Sequence, residues 1–354
     1  MKVYAPITSV ALDWGIDNDT ITDDLTTVRQ QDYRIAAVPA MCNLPHMYCY
    51  KDIPTQLNLS WFDLVLISDI EYYSQSEIQA WIQAQGIKQY LLAIGGIKTG
   101  EKINTENTVY RPWWVYNCLR FNQYTDTQAY NKPFKFEMLL GARRPHRDFA
   151  MLSFQKANLL SSSIVTYRNI FQGHYIDACS QYIADMLAPT ALEYPYVSPN
   201  LDPAWETSAN LNFQISPYIP WEIYKRTNFS VLCETLGMGE TFFMSEKAAK
   251  VLFGKRLFVA FAPCLYLENL RQLGFKTFGD VIDESYDRET NYIKRYQMAF
   301  EQIRILHDQD SNEVIKKIHH VLDHNQTRIL ELQLETRGRM QQLLQERIPG
   351  NIVN

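Results

Sequence analysis

The chain has 354 residues, 46% of them apolar and 21% charged, a balance that excludes a disordered polymer and leaves room for two domains with their own cores. A formal net charge of −5 excludes binding to nucleic acid through overall charge and leaves only a local basic track for that role. The longest apolar run, residues 257–267, is too short to span a bilayer and is interrupted by Pro263, so the expectation is a cytoplasmic protein with no membrane span.

Residues 2–10 read as a strand, followed by a polar stretch with Asp13, Asp17 and Asp19. Asp17-Asn18-Asp19 has the form of an Asp-X-Asp metal motif, but an Asp-Asn pair more often marks a turn or helix cap, and no metal is assigned to it. Residues 34–41 form a short apolar run. Residues 62–68, FDLVLIS, read as a buried strand that delivers Asp69 and Glu71 to its carboxyl end. A helix at 74–85, with Ile78, Trp81 and Ile82 on one face, and a strand at 88–94 complete a βαβ unit of a parallel sheet. Gly95-Gly96 then turns the chain into a polar loop at 98–107. Residues 111–121, RPWWVYNCLRF, read as a helix with Pro112 in its first turn. Its Trp113, Trp114 and Tyr116 suit either a core or domain interface, or stacking on a sugar or base. The polar stretch 123–135 reads as an interdomain linker.

The second half opens with a strand at 136–140, then Gly141-Ala142-Arg143-Arg144-Pro145-His146-Arg147 and a helix from about residue 148 to 160. This places guanidinium groups at the positive end of a helix dipole, where they bind a diphosphate bidentately. A strand at 163–167, a helix at 175–187 and a long irregular connection at 188–220 follow. Residues 229–233 form a strand that presents Glu234 at its carboxyl end. Ser245 caps the next helix, with Glu246 and Lys247 in its first turn, and Gly254 closes it before a strand at 256–262. In an α/β domain ligands lie outside the carboxyl ends of strands, so Glu234, Ser245, Glu246 and Lys247 are expected to converge on one ligand.

Residues 265–273 read as a helix, 274–278 as a return to the sheet, and the acidic 280–286 as a solvated loop. Two helices follow, at 291–306 and 312–346. In the second, Ile315, Ile318, Leu322, Ile329 and Leu332 build a seam broken by Asn325 and Gly338, suited to packing across two domains or to a homodimer. His319, His320 and His324 have helical i, i+4 spacing but no third ligand type, so no metal is assigned. The six cysteines lack metal-ligand spacing and read as reduced core thiols.

The run from Phe229 to Glu234, then Ser245-Glu246-Lys247, then Phe258 to Pro263 resembles the donor-binding half of glycosyltransferases with two Rossmann-like domains, the GT-B architecture. It is closest to the α1,3-fucosyltransferase family, whose signature is a strand ending in Glu-Asn-Ser, a loop, a Thr-Glu-Lys helix start and a further strand. Thr235 stands where that family has Asn. Pro145-His146-Arg147 matches the spacing of the family's Pro-X-Arg element, whose Arg contacts the donor phosphate. The segment GARRPHRDF with its preceding strand also resembles uncharacterised glycosyltransferase-like proteins of large tailed bacteriophages.

The resemblance implies an α/β fold of two Rossmann-like domains with a long C-terminal helix: an acceptor-side domain at 1–132, a nucleotide-sugar domain at 133–310 and a helical extension at 311–354. It implies transfer of a sugar from a nucleotide-diphosphate donor to a hydroxyl, with the nucleotide sugar as co-substrate, no resident cofactor and no metal in the donor pocket. Arg144, Arg147 and Lys247 would bind phosphate, with Ser245 at the helix start, and Glu246 and Glu234 would accept hydrogen bonds from ribose or sugar hydroxyls. Asp69, Glu71 and Asp13 are the candidates for the acceptor's general base. The family has a Gly-Glu-Asn element after a first-domain strand; here Gly95-Gly96-Ile97 stands at the comparable place and the nearest glutamate is Glu101. The acceptor is either a saccharide or a hydroxymethylated DNA base, and DNA would call for a basic track such as Lys98, Lys102, Arg111 and Arg120. The alternatives are a non-catalytic binding or assembly protein that uses the C-terminal helix as its surface, and a nucleotide-dependent enzyme of other chemistry such as a sugar epimerase.

Overall fold

The computed structural model describes residues 1–40, 57–69, 75–98, 101–120, 122–127, 132–141, 144–167, 196–199 and 218–348. The expected helix at 175–187, most of the connection at 188–220, Glu71 and Arg143 lie outside the described residues. The chain is α/β, with parallel-strand sheets and a long C-terminal helix. It divides into two compact units, Met1–Trp113 with Glu331–Asn354, and Trp114–Leu330. The sequence reading set its divisions after residues 132 and 310.

The first unit holds a six-stranded sheet of β1 (Val3–Tyr4), β2 (Ile21–Thr22), β3 (Ile35–Pro39), β4 (Leu64–Ser68), β5 (Tyr90–Ile94) and β6 (Thr108–Tyr110), in the order β2-β1-β3-β4-β5-β6. Every neighbouring pair is parallel. β3 and β4 are buried along their whole length, which is why they appear as unbroken apolar runs. One face packs Val3, Ile35, Leu64, Leu66, Leu91 and Val109 with Val10 and Trp14, and with Met340, Leu343 and Leu344 from the end of the last helix.

The expected strand at 2–10 is corrected. Only Val3–Tyr4 is β; after Pro6 the chain forms helix α1 (Thr8–Asp13). Val10, Ala11 and Trp14, at helical spacing, are the residues that bury, and helical period wins over β propensity. α2 (Leu25–Arg29) is capped by Asp24, whose side chain accepts from Thr26 N. Helix α3 (Gln75–Ala84) buries Ile78, Trp81 and Ile82 as expected.

The second unit holds β7 (Phe134–Leu140), β8 (Ser163–Tyr167), β9 (Tyr196–Val197), β10 (Thr227–Cys233) and β11 (Phe258–Phe261), in the order β9-β8-β7-β10-β11. The edge strand β9 is antiparallel and the other pairs are parallel. The chain starts in the middle at β7, moves outward through β8, then returns to the other side of β7 with β10. This reversal puts a topological switch point between β7 and β10, an order compatible with a Rossmann-like domain. The helices are α4 (Trp113–Arg120), α5 (Pro145–Lys156), α6 (Trp221–Arg226), α7 (Glu246–Phe253), α8 (Tyr266–Gln272) and α9 (Tyr292–Asp308). In α4, Tyr116 is buried and Trp113 and Trp114 are half-buried. Cys118, Cys233 and Cys264 are free thiols, and burial pushes those of Cys118 and Cys233 up to about 12.

Two expectations beyond Pro263 are corrected. Residues 274–278 form no strand, because the Lys276 backbone is taken by a side chain: Lys276 N donates to Asn325 Oδ1 at 2.8 Å, and Asn325 Nδ2 donates to Lys276 O at 2.9 Å. The acidic 280–286 stretch is not a solvated loop. Glu284 accepts from Thr277 Oγ1 and Arg271 Nη1, and Asp287, just past the stretch, accepts from the amides of Leu267 and Glu268 at the start of α8.

The last helix, α10 (Ser311–Arg347), runs for 37 residues; its residues to Leu330 belong to the second unit and those from Glu331 to the first. Val314, Ile318, Val321, Leu322, Asn325 and Ile329 form its buried stripe in the second unit, so Asn325 lies within the seam and does not break it. His324 donates from Nε2 to Gly274 O, and His319 pairs with Asp323. Among the described residues no helix is long and apolar enough to cross a membrane.

Candidate functional site

The site is built where the carboxyl ends of β7 and β10 lie side by side. After β7 the chain reaches Arg144, which precedes α5 with extended backbone. Pro145 takes the first helical position, where its missing N–H costs nothing. The helix therefore starts earlier than the sequence reading placed it, and His146 and Arg147 lie inside its first turn, both nearly inaccessible at 1% and 4% exposure.

Three side chains of this segment reach across to β10. Arg144 Nη1 donates to Thr235 O at 2.7 Å, Arg147 Nη2 to Glu234 O at 3.2 Å, and His146 Nε2 to the same Glu234 O at 2.8 Å. A carbonyl only accepts, so the His146 proton sits on Nε2. Burial pushes the His146 imidazole well below its ordinary range, and Arg147, Arg144 and Lys247 push it further while its bond to Glu234 O opposes. The Arg147 guanidinium is lowered by burial and by neighbouring Arg144. Such mutual repulsion between cations is what a bound anion relieves.

Glu234, the residue directly after β10, has no exposed surface. The sequence reading has it accepting from a donor sugar; here its two oxygens accept four bonds from the protein. Ser245 N and Tyr266 OH donate to Oε1 at 3.1 and 2.9 Å, and Thr235 N and Ser245 Oγ to Oε2 at 2.8 and 2.5 Å. This cluster fixes the start of α7, and Ser245 Oγ also caps the helix by accepting from Lys247 N at 3.2 Å. Lys247 Nζ lies 2.7 Å from Glu246 Oε1 and 3.3 Å from Thr235 Oγ1. Burial raises the Glu246 carboxyl, but Lys247 and Lys250 outweigh it and hold the group below the ordinary carboxylate range. Lys250 is itself lowered by burial, against Glu246.

Arg144, Arg147, Glu234, Ser245, Glu246 and Lys247, six residues named from sequence, are thus brought together by two adjacent strand ends and two helix starts. Four participants carried no clear sequence signal: His146, Thr235, Lys250 and Tyr266. Gly237 belongs with them, since a Cβ there would lie 2.2 Å from His146 Nδ1. Its carbonyl accepts from Tyr296 OH at 2.5 Å and Arg295 Nη2 at 3.3 Å.

The candidates in the first unit are placed differently. Asp13, the last residue of α1, pairs with Arg111 at 3.0 Å; burial raises its carboxyl even though Arg111 opposes. Asp69 follows β4, is 4% exposed and donates its amide to Ala93 O. Glu71 lies outside the described residues. Glu101 caps α3: its oxygens accept from the amides of Gln75, Ser76 and Lys98. Arg111, one residue of the possible basic track, is engaged by Asp13. Comparison with protein-family models gives no match, and comparison with curated proteins gives none.

Proposed function

We propose that the second unit binds the diphosphate of a nucleotide-activated sugar and that the protein transfers the sugar to a hydroxyl acceptor. The observation that carries this reading is the gathering of Arg144, Arg147 and Lys247, with the starts of α5 and α7, at the switch point between β7 and β10. Guanidinium groups, an ammonium and helix N-termini are the groups that stabilise a departing diphosphate as negative charge develops on it. The family likeness at the same residues supports the reading independently of the geometry.

In this reading the two parallel-sheet units are the halves of a GT-B enzyme. Glu246, kept below the ordinary carboxylate range by two lysines, accepts hydrogen bonds from hydroxyls of the donor. Glu234 holds Ser245 and α7 in place for the cations. Asp69 is the proposed acceptor base, with Asp13 committed to Arg111 and Glu71 the other candidate. The acceptor is a saccharide or a hydroxymethylated DNA base.

The test is release of nucleoside diphosphate from a panel of nucleotide sugars with oligosaccharide and hydroxymethylated DNA as acceptors. Acceptor-dependent release that disappears in the Arg147→Ala, Lys247→Ala double variant, with folding retained, supports the reading. Equal turnover by the double variant rejects the phosphate assignment, and acceptor-independent conversion of the donor points to an epimerase.

A further inference from the structure

Thr235 touches Glu234, Arg144 and Lys247 at once. Its amide donates to Glu234 Oε2 at 2.8 Å, its carbonyl accepts from Arg144 Nη1 at 2.7 Å, and its hydroxyl accepts from Lys247 Nζ at 3.3 Å. It is half-buried, at the edge of the cluster. An ammonium carries three hydrogens on a long, freely rotating stem. Glu246, its neighbour in the chain, would by itself tie the Lys247 amine only to its own helix turn. The Thr235 hydroxyl adds an anchor from the end of β10, 12 residues away in sequence. With two of its hydrogens directed by Glu246 and Thr235, the tetrahedral amine has its third direction set as well.

We propose that Thr235 is a positioning residue of the anion site: its hydroxyl aims Lys247, and its carbonyl aims Arg144, at the diphosphate. The inference rests on the nucleotide-sugar reading and assigns a role to the residue at which this chain departs from the fucosyltransferase signature. Fixing a cation before the ligand arrives removes the ordering cost from the binding step. The carbonyl contact survives any side-chain change, so the hydroxyl's share is separable by mutation.

The experiment is titration of the full chain with inorganic pyrophosphate and with UDP and GDP at fixed ionic strength. It compares wild type, Thr235→Val, Thr235→Ser, Lys247→Met and the Thr235→Val, Lys247→Met double variant, with the thermal midpoint of each recorded. Thr235→Val is expected to weaken binding about tenfold, and Thr235→Ser to stay within about twofold of wild type. Because Thr235 acts through Lys247, Thr235→Val adds nothing in the Lys247→Met background. A merely structural role would give the same loss in both backgrounds, and that result overturns the proposal, as does equal binding by wild type and Thr235→Val. Should the valine variant fail to fold, Thr235→Ala takes its place in the cycle. No binding by folded wild type would overturn the nucleotide reading itself, and this inference with it.

Discussion

The hydroxyl of Ser245 donates to the carboxylate of Glu234 across 2.5 Å, at a point where neither residue has any exposed surface. Together with Tyr266 OH and two amides this gives one carboxylate four donors, and it joins the end of β10 to the start of α7. Removing the acceptor strands three donors on buried residues and one on half-buried Thr235 at once. Glu234→Ala is expected to lose on the order of 3 kcal/mol of stability, and Ser245→Ala about 2 kcal/mol through lost cap and lost charged hydrogen bond. Urea unfolding measures both; a loss near zero for Glu234→Ala would show that the clamp is not what holds α7.

His146 predicts a pH dependence. Its imidazole titrates well below the ordinary value, through burial first and neighbouring cations second. Above about pH 6.5 the ring is neutral in folded and unfolded chains alike and contributes nothing. Below it the unfolded chain takes a proton that the folded chain refuses, so stability falls by about 1.4 kcal/mol per pH unit from this group alone. His146→Gln keeps an N–H donor for Glu234 O and removes the titration. Its stability should decline less than that of wild type between pH 6.5 and 5.5; parallel declines would contradict the assignment.

Asn325 tests the C-terminal helix. Its side chain holds both the N–H and the C=O of Lys276 and is 2% exposed. Asn325→Leu completes an apolar heptad seam on paper but leaves a buried peptide group without partners. The expected result is a loss of about 2 kcal/mol, against the gain that a plain coiled-coil seam would give. Denaturant midpoints of the two proteins decide between them.

Much of the fold was legible because parallel strands buried on both faces leave unbroken apolar runs. β4 and β5 are such runs, and Ser245 and Gly254 mark the ends of α7 by their chemistry. The opening residues suit a strand locally because Val3, Tyr4, Ile7 and Val10 are all β-prone; only the sheet under Val10 and Trp14 decides for helix. Glu101, Asn325 and Asp287 act on backbone groups distant in sequence, at α3, Lys276 and α8, and no local pattern announces such a partner. For the site, Arg147 and Lys247 were visible as charges at helix starts. That Glu234 turns its carboxylate inward, and that Gly237 lies against His146, depends on the approach of two loops.

Arg147 offers a sharper test than a deletion. Its buried guanidinium donates to a backbone carbonyl while keeping a planar fork that an ammonium lacks. Arg147→Lys preserves the charge, yet it should weaken nucleoside diphosphate binding about tenfold or more. Isothermal titration gives the ratio; wild-type affinity in the lysine variant would mean that charge alone matters.

In the proposed function the cations at residues 144–147 and 245–247 form a nucleoside diphosphate site. The most direct measurement is the thermal midpoint of wild type and Arg147→Ala against UDP-, GDP-, CMP- and dTDP-sugars and the free nucleotides, each with and without Mg²⁺. A ligand at about 100 times its dissociation constant adds roughly 2.7 kcal/mol to the folded state. One nucleoside diphosphate or its sugar is expected to raise the midpoint of wild type and leave that of Arg147→Ala unmoved. No shift with any nucleotide, in protein shown to be folded, would contradict it and favour a non-catalytic scaffold.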